Sequence, residues 1–271
     1  MYYIVKGLCY NIFNNKELTI MKNYHTHTKR CYHAMDTEEE YILAAIQSGY
    51  TELGFSDHSP WHYDSSFHSS MRMEEDKLEG YVNILKQLRE KYKDKISIKI
   101  GLECEYFEKY MPWLEKIVKE YELDYLILGN HFDEDETGIY FGRSLTQQQL
   151  TKYVDSCIKG LRTGLYSYLA HPDLANYDIY DPFYTQEMTR LCLEAKKLDI
   201  PLEFNLLGFS THRQYPNDVF FKIVQKIGNK VIIGTDAHES SALLDLKTYN
   251  EALNYLKKLG IDITEDIKFL K

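Results

Sequence analysis

The stretch MKNYHTHTKR, residues 21–30, carries two histidines, His25 and His27, one residue apart at the end of a short apolar run. Side chains two apart on an extended segment point to the same side, so both imidazoles can reach one cation. The stretch GTDAH repeats the device with Asp236 and His238. Between them stand Asp57 and His58 after TELGFS, Glu103 and Glu105 in GLECEYF, His131 after YLILGN, His171 after YSYLA, and Asn205 closing PLEFN. Imidazoles mixed with carboxylates suit zinc, iron or manganese, whereas calcium and magnesium prefer all-oxygen shells. One histidine beside a strand end is ordinarily a hydrogen-bonded structural residue. Ligand-competent side chains at six of seven such ends point instead to a shared metal site. Alternation puts Glu103 and Glu105 on one face and does not choose between them, and Asp57 reads either as a ligand or as an acceptor that orients a histidine.

These side chains need elements to bring them together. Residues 22–25, 51–56, 96–103, 125–130, 166–170, 201–205 and 230–235 read as strands. Helical patterns run over 38–48, 74–92, 109–121, 146–162, 185–198, 217–227 and 241–258. The first has a capping box, Thr37 with Glu40 three residues on, and Gly49 at its end. Strands alternating with helices imply a parallel sheet covered by helices, and seven such units close most naturally into an α/β barrel whose strand ends converge on one mouth. No glycine-rich turn of the nucleotide-binding kind follows the first strand.

At 271 residues and 44% hydrophobic, the chain is long enough for one large domain. Residues 21–271 are assigned to it, and 1–20, which lack the marks of a secretory signal, to an N-terminal extension that reads equally as an added strand or surface flap or as a mis-assigned start upstream of Met21. No apolar run reaches the roughly 18 residues of a membrane span, so no membrane partner is expected. Five cysteines, an odd number without a CxxC pair, suit a reducing cytoplasm, and Cys31 and Cys104 read as bystanders. A formal charge of −9 repels polyanions, which excludes nucleic acid as the expected partner and leaves the oligomeric state open. His62 and His68 read as part of a solvated loop, while Arg72, Arg143 and Arg213 are candidates for holding an anion.

In order and spacing, HTH at 25–27, FSDHSP at 55–60, MRM at 71–73, GLECEYF at 101–107, LILGNHF at 126–132, AHPD at 170–173 and GTDAH at 234–238 resemble the polymerase and histidinol phosphatase (PHP) superfamily. Within it, the chain looks like the monofunctional histidinol-phosphate phosphatases. That resemblance implies a distorted seven-stranded, TIM-like (β/α)7 barrel holding two or three divalent transition metals (Zn, Mn or Fe). One would take His25, His27, Glu103 and Asp236, with Glu103 bridging to a second bound by His131 and His171. A third would take His33, His58 and His238. The resemblance also selects Glu103 over Glu105. Two departures bear on substrate: a basic pair usually follows the AHPD-like motif, whereas here LANYD leaves Asn176 and Tyr177 uncharged, and GNHF replaces a longer small-residue sequence before His131.

The expected activity is metal-dependent hydrolysis of a small phosphorylated metabolite, L-histidinol phosphate first, by a metal-bridging hydroxide. Arg213 or Arg72 would assist at the phosphate, His212 is a candidate to protonate the leaving oxygen, and Glu105, Asp64 or Asp133 could receive the substrate's amine and imidazole. The alternatives are a PHP-type phosphoesterase for nucleotides or other small phosphomonoesters, a C–N hydrolase, and a non-catalytic metal-binding regulatory module. The C–N hydrolase reading expects a lysine or other bridging ligand on the fourth strand, where this chain has LILGNHF.

Overall fold

The computed structural model describes residues 21–270, so the extension assigned to 1–20 lies outside the described residues. The elements follow in the order β1 Met21–Asn23, α1 Glu38–Ser48, β2 Tyr50–His58, α2 Leu78–Tyr92, β3 Ser97–Cys104, α3 Met111–Tyr121, β4 Tyr125–Leu128 and α4 Gln147–Arg162. They continue with β5 Tyr168–Leu169, α5 Pro182–Lys197, β6 Leu202–Asn205, α6 Leu206–Ser210, α7 Asp218–Ile227, β7 Lys230–Gly234, α8 Leu246–Leu259 and β8 Asp262–Ile263. The capping box forms: the Thr37 side chain accepts from the Glu40 amide, the Glu40 carboxylate accepts from the Thr37 amide, and Gly49 at φ 83° ends α1. Thr146 and Gln149 start α4 in the same way.

Every neighbouring pair of strands is parallel, in the unbroken order β1 to β8, and the sheet curls into a TIM-like half-barrel. Eight strands replace the expected seven. The extra one, β8, pairs Asp262 with Lys230 and Ile263 with Val231. It is two residues long, set in the polar stretch DITED, and so leaves no apolar run for a sequence reading to detect. The short helix α6, immediately after Asn205, was likewise not anticipated. Past β7, an isolated parallel bridge joins Thr26 to Ala237, which sets the chain leaving β1 beside the chain leaving β7.

Alternation along the strands divides the core in two. In β4, Leu126 and Leu128 pack towards the helices, while Tyr125 and Ile127 join Tyr24, Tyr168, Ala170 and Ile232 in a separate inner cluster. The C-terminal segment closes the floor: Phe269 meets the rings of Tyr24 and Tyr125 edge-on, and the Leu270 amide donates to the Asp124 carbonyl. Packing below the mouth therefore fixes the strand ends above it. Among the described residues no helix is long and apolar enough to cross a membrane, and Cys31, Cys104, Cys157 and Cys192 are free and buried.

Candidate metal centre

The bridge between Thr26 and Ala237 builds the centre of the site. With Thr26 and Ala237 paired through hydrogen bonds on both sides, His27 N to Ala237 O at 2.9 Å and Ala237 N to His25 O at 3.2 Å, the residues flanking each turn inward together. His25 Nε2 and His27 Nε2 come within 3.4 and 3.2 Å of Asp236 Oδ1, and the His238 ring stacks on His27 with centroids 4.2 Å apart. Glu103, at the end of β3, faces this group from across the mouth. Its Oε2 lies 3.6 Å from His25 Nε2, 3.4 Å from His27 Nε2 and 2.9 Å from His58 Nδ1. Its Oε1 lies 2.8 Å from His171 Nε2 and 3.5 Å from His131 Nε2. One carboxylate thus addresses two sets of imidazoles with different oxygens.

The oxygens behind the rings orient them. His25 Nδ1 meets Glu203 at 2.7 Å, His131 Nδ1 meets Glu105 at 3.1 Å, His238 Nδ1 meets the Asp236 carbonyl at 3.0 Å, and His33 Nδ1 meets the Cys31 carbonyl at 2.6 Å. Each contact commits Nδ1 as the donor and leaves the Nε2 lone pair for a cation, the usual arrangement behind metal-binding histidines. Six buried polar atoms here have no hydrogen-bond partner: His25 Nε2, His27 Nδ1 and Nε2, His58 Nδ1, His171 Nδ1 and Glu103 Oε2. An unpartnered buried polar atom costs about 1–3 kcal/mol, and cations would satisfy those that face the cluster, His25 Nε2, His27 Nε2, His58 Nδ1 and Glu103 Oε2. Ligand atoms within 4.8 Å of one another occur in His25, Glu103 and His171; in His25, His27 and Asp236; in His27, His58 and His238; and in Cys31, His33 and His238. The donor set fits divalent metals.

Without cations, protons gather on the imidazoles. Burial would lower His25, but Glu203, Asp236 and Glu103 raise it to about 10, and His27 is raised as well. Burial would raise Glu103 and Asp236, yet the surrounding histidines hold both well below the usual carboxylate range. His58 behaves oppositely: burial takes it down to about 3 against the pull of Glu103, with His27 and His131 adding repulsion. Both acids therefore stay ionised at neutral pH, poised to hold a positive charge.

Space for the acids is made by their neighbours. A Cβ on Gly129, just beyond β4, would overlap Glu103 Oε1, and a Cβ on Gly234 would overlap Glu203 Oε1. His171 at φ 29° and Asp236 at φ 52° sit in left-handed backbone, a strain of about 1–3 kcal/mol each. Glu203 accepts from the His171 amide at 2.8 Å, and Asn205 donates to Asp236 at 3.0 Å, which holds both in place.

The nine expected ligands, His25, His27, His33, His58, Glu103, His131, His171, Asp236 and His238, thus come together around one solvent-open cleft of about 480 Å³. Arg213 lines the cleft as well. Arg72 and Glu105, read as substrate-binding, are not brought to it. Both are buried, joined to each other by two hydrogen bonds of 2.8 and 3.0 Å, with Arg72 also on Glu136 and Glu105 also accepting from Trp61. Asp64 and Asp133 are paired with Lys109 and Lys152, each at 2.8 Å. His212 is exposed beyond α6 and does not line the cleft.

Three further residues bear on the cluster. Glu203 sits inside PLEFN, two residues before the strand-end candidate Asn205, and alternation puts it on the same inner face. Cys31, expected as a bystander, lies close enough to His33 and His238 to share a cation with them, and although burial would raise its thiol, His238, His27 and His33 draw it down to about 3. Asp57 is fixed by the Thr28 amide at 2.9 Å and lies 3.7 Å from His27 Nδ1, behind the ring rather than among the forward-facing atoms. Glu203→Gln should lower metal affinity or turnover about 10–100-fold, since it loosens both His25 and His171. A metal-competition titration alongside kcat checks this, and unchanged affinity and rate would leave Glu203 a packing residue.

The PHP domain family matches residues 23–205. A protein of Deinococcus radiodurans named probable histidinol-phosphatase is 27% identical over 236 residues, covering 82% of this chain and 88% of its own length. The histidinol-phosphatase of Bacillus subtilis is 22% identical over 251 residues, with 80% of this chain and 92% of its own covered. Among solved structures, histidinol phosphate phosphatase of Lactococcus lactis, complexed with zinc, L-histidinol and phosphate, matches with a TM-score of 0.69 at 20% identity, over 92% of this chain and 98% of its own. That last likeness is one of fold. With the family match spanning more than half of its length, this chain belongs to the PHP domain family.

Proposed function

We propose that the chain is a metal-dependent phosphomonoesterase that hydrolyses L-histidinol phosphate to L-histidinol and phosphate. The observation that carries this reading is Glu103, whose two oxygens face separate groups of buried imidazoles with unsatisfied nitrogens. The names of the relatives, and the zinc, L-histidinol and phosphate held by the Lactococcus lactis protein, supply the substrate. His25, His27, Asp236 and Glu103 would hold one cation, Glu103, His131 and His171 a second, and His33, His58 and His238 a third, each zinc, manganese or iron. Such ions supply Lewis acidity and hydroxide at neutral pH.

The chain's own residues do the rest. Glu103 and Asp236 stay ionised and balance the cationic charge, while Glu203, Glu105 and the Cys31 carbonyl fix the imidazoles that surround them. Arg213 meets the phosphate oxygens and offsets charge that builds on them, the kind of electrostatic help that is usually the largest catalytic contribution. Water oxygen ends on phosphorus, the ester P–O bond breaks, and the alcohol oxygen takes a proton. Because the attacking oxygen is that of water, the scheme needs no covalent phosphoenzyme. Phe132, Tyr140 and Tyr215 form a wall against which an imidazole can stack.

The second reading, a phosphoesterase for nucleotides or other small phosphomonoesters, draws support from one feature: among the described residues no carboxylate besides Glu103 and Asp236 lines the cleft to receive an amine. A panel of phosphomonoesters at equal concentration separates the two. Purified protein should release phosphate fastest from L-histidinol phosphate, lose the activity on dialysis against a chelator, and regain it with zinc, manganese or iron. No release with any of these metals and any ester would overturn the reading.

A further inference from the structure

The chain has seven arginines, and five of them hold a carboxylate: Arg30 with Glu38, Arg72 with Glu105 and Glu136, Arg89 with Asp124, Arg162 with Glu194, and Arg190 with Asp155 and Glu187. Arg143 and Arg213 do not. Among the described residues neither has an acidic oxygen within 4.0 Å, and both line the cleft that contains Glu103, His131, His171 and Asp236. In a chain with 41 acidic against 32 basic residues, unpaired guanidinium groups are the exception, and here both exceptions face one cavity. Among the described residues the Arg213 side chain donates only to the Tyr215 hydroxyl, at 2.9 Å, and the Arg143 side chain makes no hydrogen bond. Guanidinium is matched to phosphate oxygens in shape and charge.

The loop carrying Arg143 is held in place. The Asn176 amide donates to the Phe141 carbonyl at 3.0 Å, the Asn176 carbonyl accepts from Leu145 at 2.9 Å, and the Asn176 side chain donates to the Gly142 carbonyl at 3.3 Å. The Phe141 amide also donates to the carbonyl of His131, so the loop is tied at one side to a cluster histidine and at the other to the segment after His171. That segment, residues 171–181, has no lysine or arginine of its own. Its asparagine fixes the backbone on both sides of a cation borrowed from another loop.

We propose that Arg143 joins Arg213 as the second arm of a clamp for the phosphate group of the substrate, with Asn176 the positioning residue for Arg143. The clamp rests on the phosphomonoesterase reading and adds which residues recognise the anion. Charge-assisted hydrogen bonds of this kind make each arginine worth about 10–100-fold in binding.

The test uses metal-loaded enzyme with Arg143→Ala, Arg213→Ala, the double variant and Asn176→Ala, and Arg190→Ala as a control outside the cleft. KM, kcat and the inhibition constant of inorganic phosphate are read at equal metal content. Each single arginine variant should raise KM and the phosphate inhibition constant about 10–100-fold, and the double variant should raise both further. Asn176→Ala should move both constants in the same direction by a smaller factor at an unchanged unfolding temperature, and Arg143→Lys should recover part of the Arg143→Ala loss. An unchanged phosphate constant in Arg143→Ala would overturn the clamp. Should the wild type hydrolyse no phosphomonoester, calorimetric titration of inorganic phosphate into the same metal-loaded proteins still decides the clamp while the catalytic reading falls.

Discussion

Glu103→Gln will release phosphate at least about 10³-fold more slowly than the wild type while the barrel remains folded. This carboxylate lies between the two sides of the cluster, Oε2 towards His25, His27 and His58, and Oε1 towards His131 and His171. Glutamine keeps the volume but replaces one acceptor with an NH2 group aimed at imidazole lone pairs, and it removes a full negative charge from a buried position. Several kcal/mol of cation binding and transition-state stabilisation depend on that charge, and each factor of ten in rate is about 1.4 kcal/mol. Elemental analysis beside kcat/KM checks the cause: metal content should fall together with the rate, with near-UV circular dichroism retained. A variant within tenfold of wild type at full metal content would remove Glu103 from the centre.

The second large effect is on stability. Arg72→Ala should lower the unfolding free energy by about 3–5 kcal/mol, because it strands the Glu105 carboxylate in the interior without its main partner. Both side chains are 1% exposed. In the wild type, burial pushes Glu105 up, but Arg72 and His131 hold it well below the usual range. A depressed folded pKa contributes stability that is fully present above the unfolded value of about 4.3 and is lost as pH falls through the folded one. Removing Arg72 lets burial win, so the sign reverses: the variant's deficit grows as pH rises and shrinks in mild acid. Urea unfolding at pH 5 and pH 7.5 measures the difference. Arg72→Met with Glu105→Met should recover much of the stability yet remain a poor enzyme, since His131 has lost the oxygen behind its ring. Equal deficits at both pH values would contradict a stranded charge.

Arg72 and Glu105 also mark the limit of reading charge from sequence. Each has a type suited to binding substrate, but what decides its role is a partner 33 residues away, invisible until the chain folds. Strand ends were legible because period-two alternation and apolar runs are local, so His25 and His27, or Asp236 and His238, declare a shared direction in any extended segment. His33 was not legible in that way. It follows a short 3-10 turn, Lys29–Cys31, and Tyr32 in left-handed backbone, and only the family resemblance singled it out. Glu203 obeyed the alternation rule but was overlooked one step inside its strand. β8 offered almost nothing to read, because two residues of pairing need no pattern. His212 and Arg213 are adjacent in sequence, yet only Arg213 lines the cleft, a separation decided by the turn after α6.

Gly129 and Gly234 carry a lesson for how ionisable groups can be housed inside a packed sheet. Each stands next to an interior glutamate on the adjoining strand, and the missing methyl is the room in which the carboxylate lies. The two acids are thus licensed by vacancies one strand over, and alanine at either position would evict an oxygen rather than merely stiffen a turn. In parallel barrels of this type, a glycine at a strand's upper end, with a glutamate on the next strand along, is an address for buried negative charge that can be read before any ligand is known.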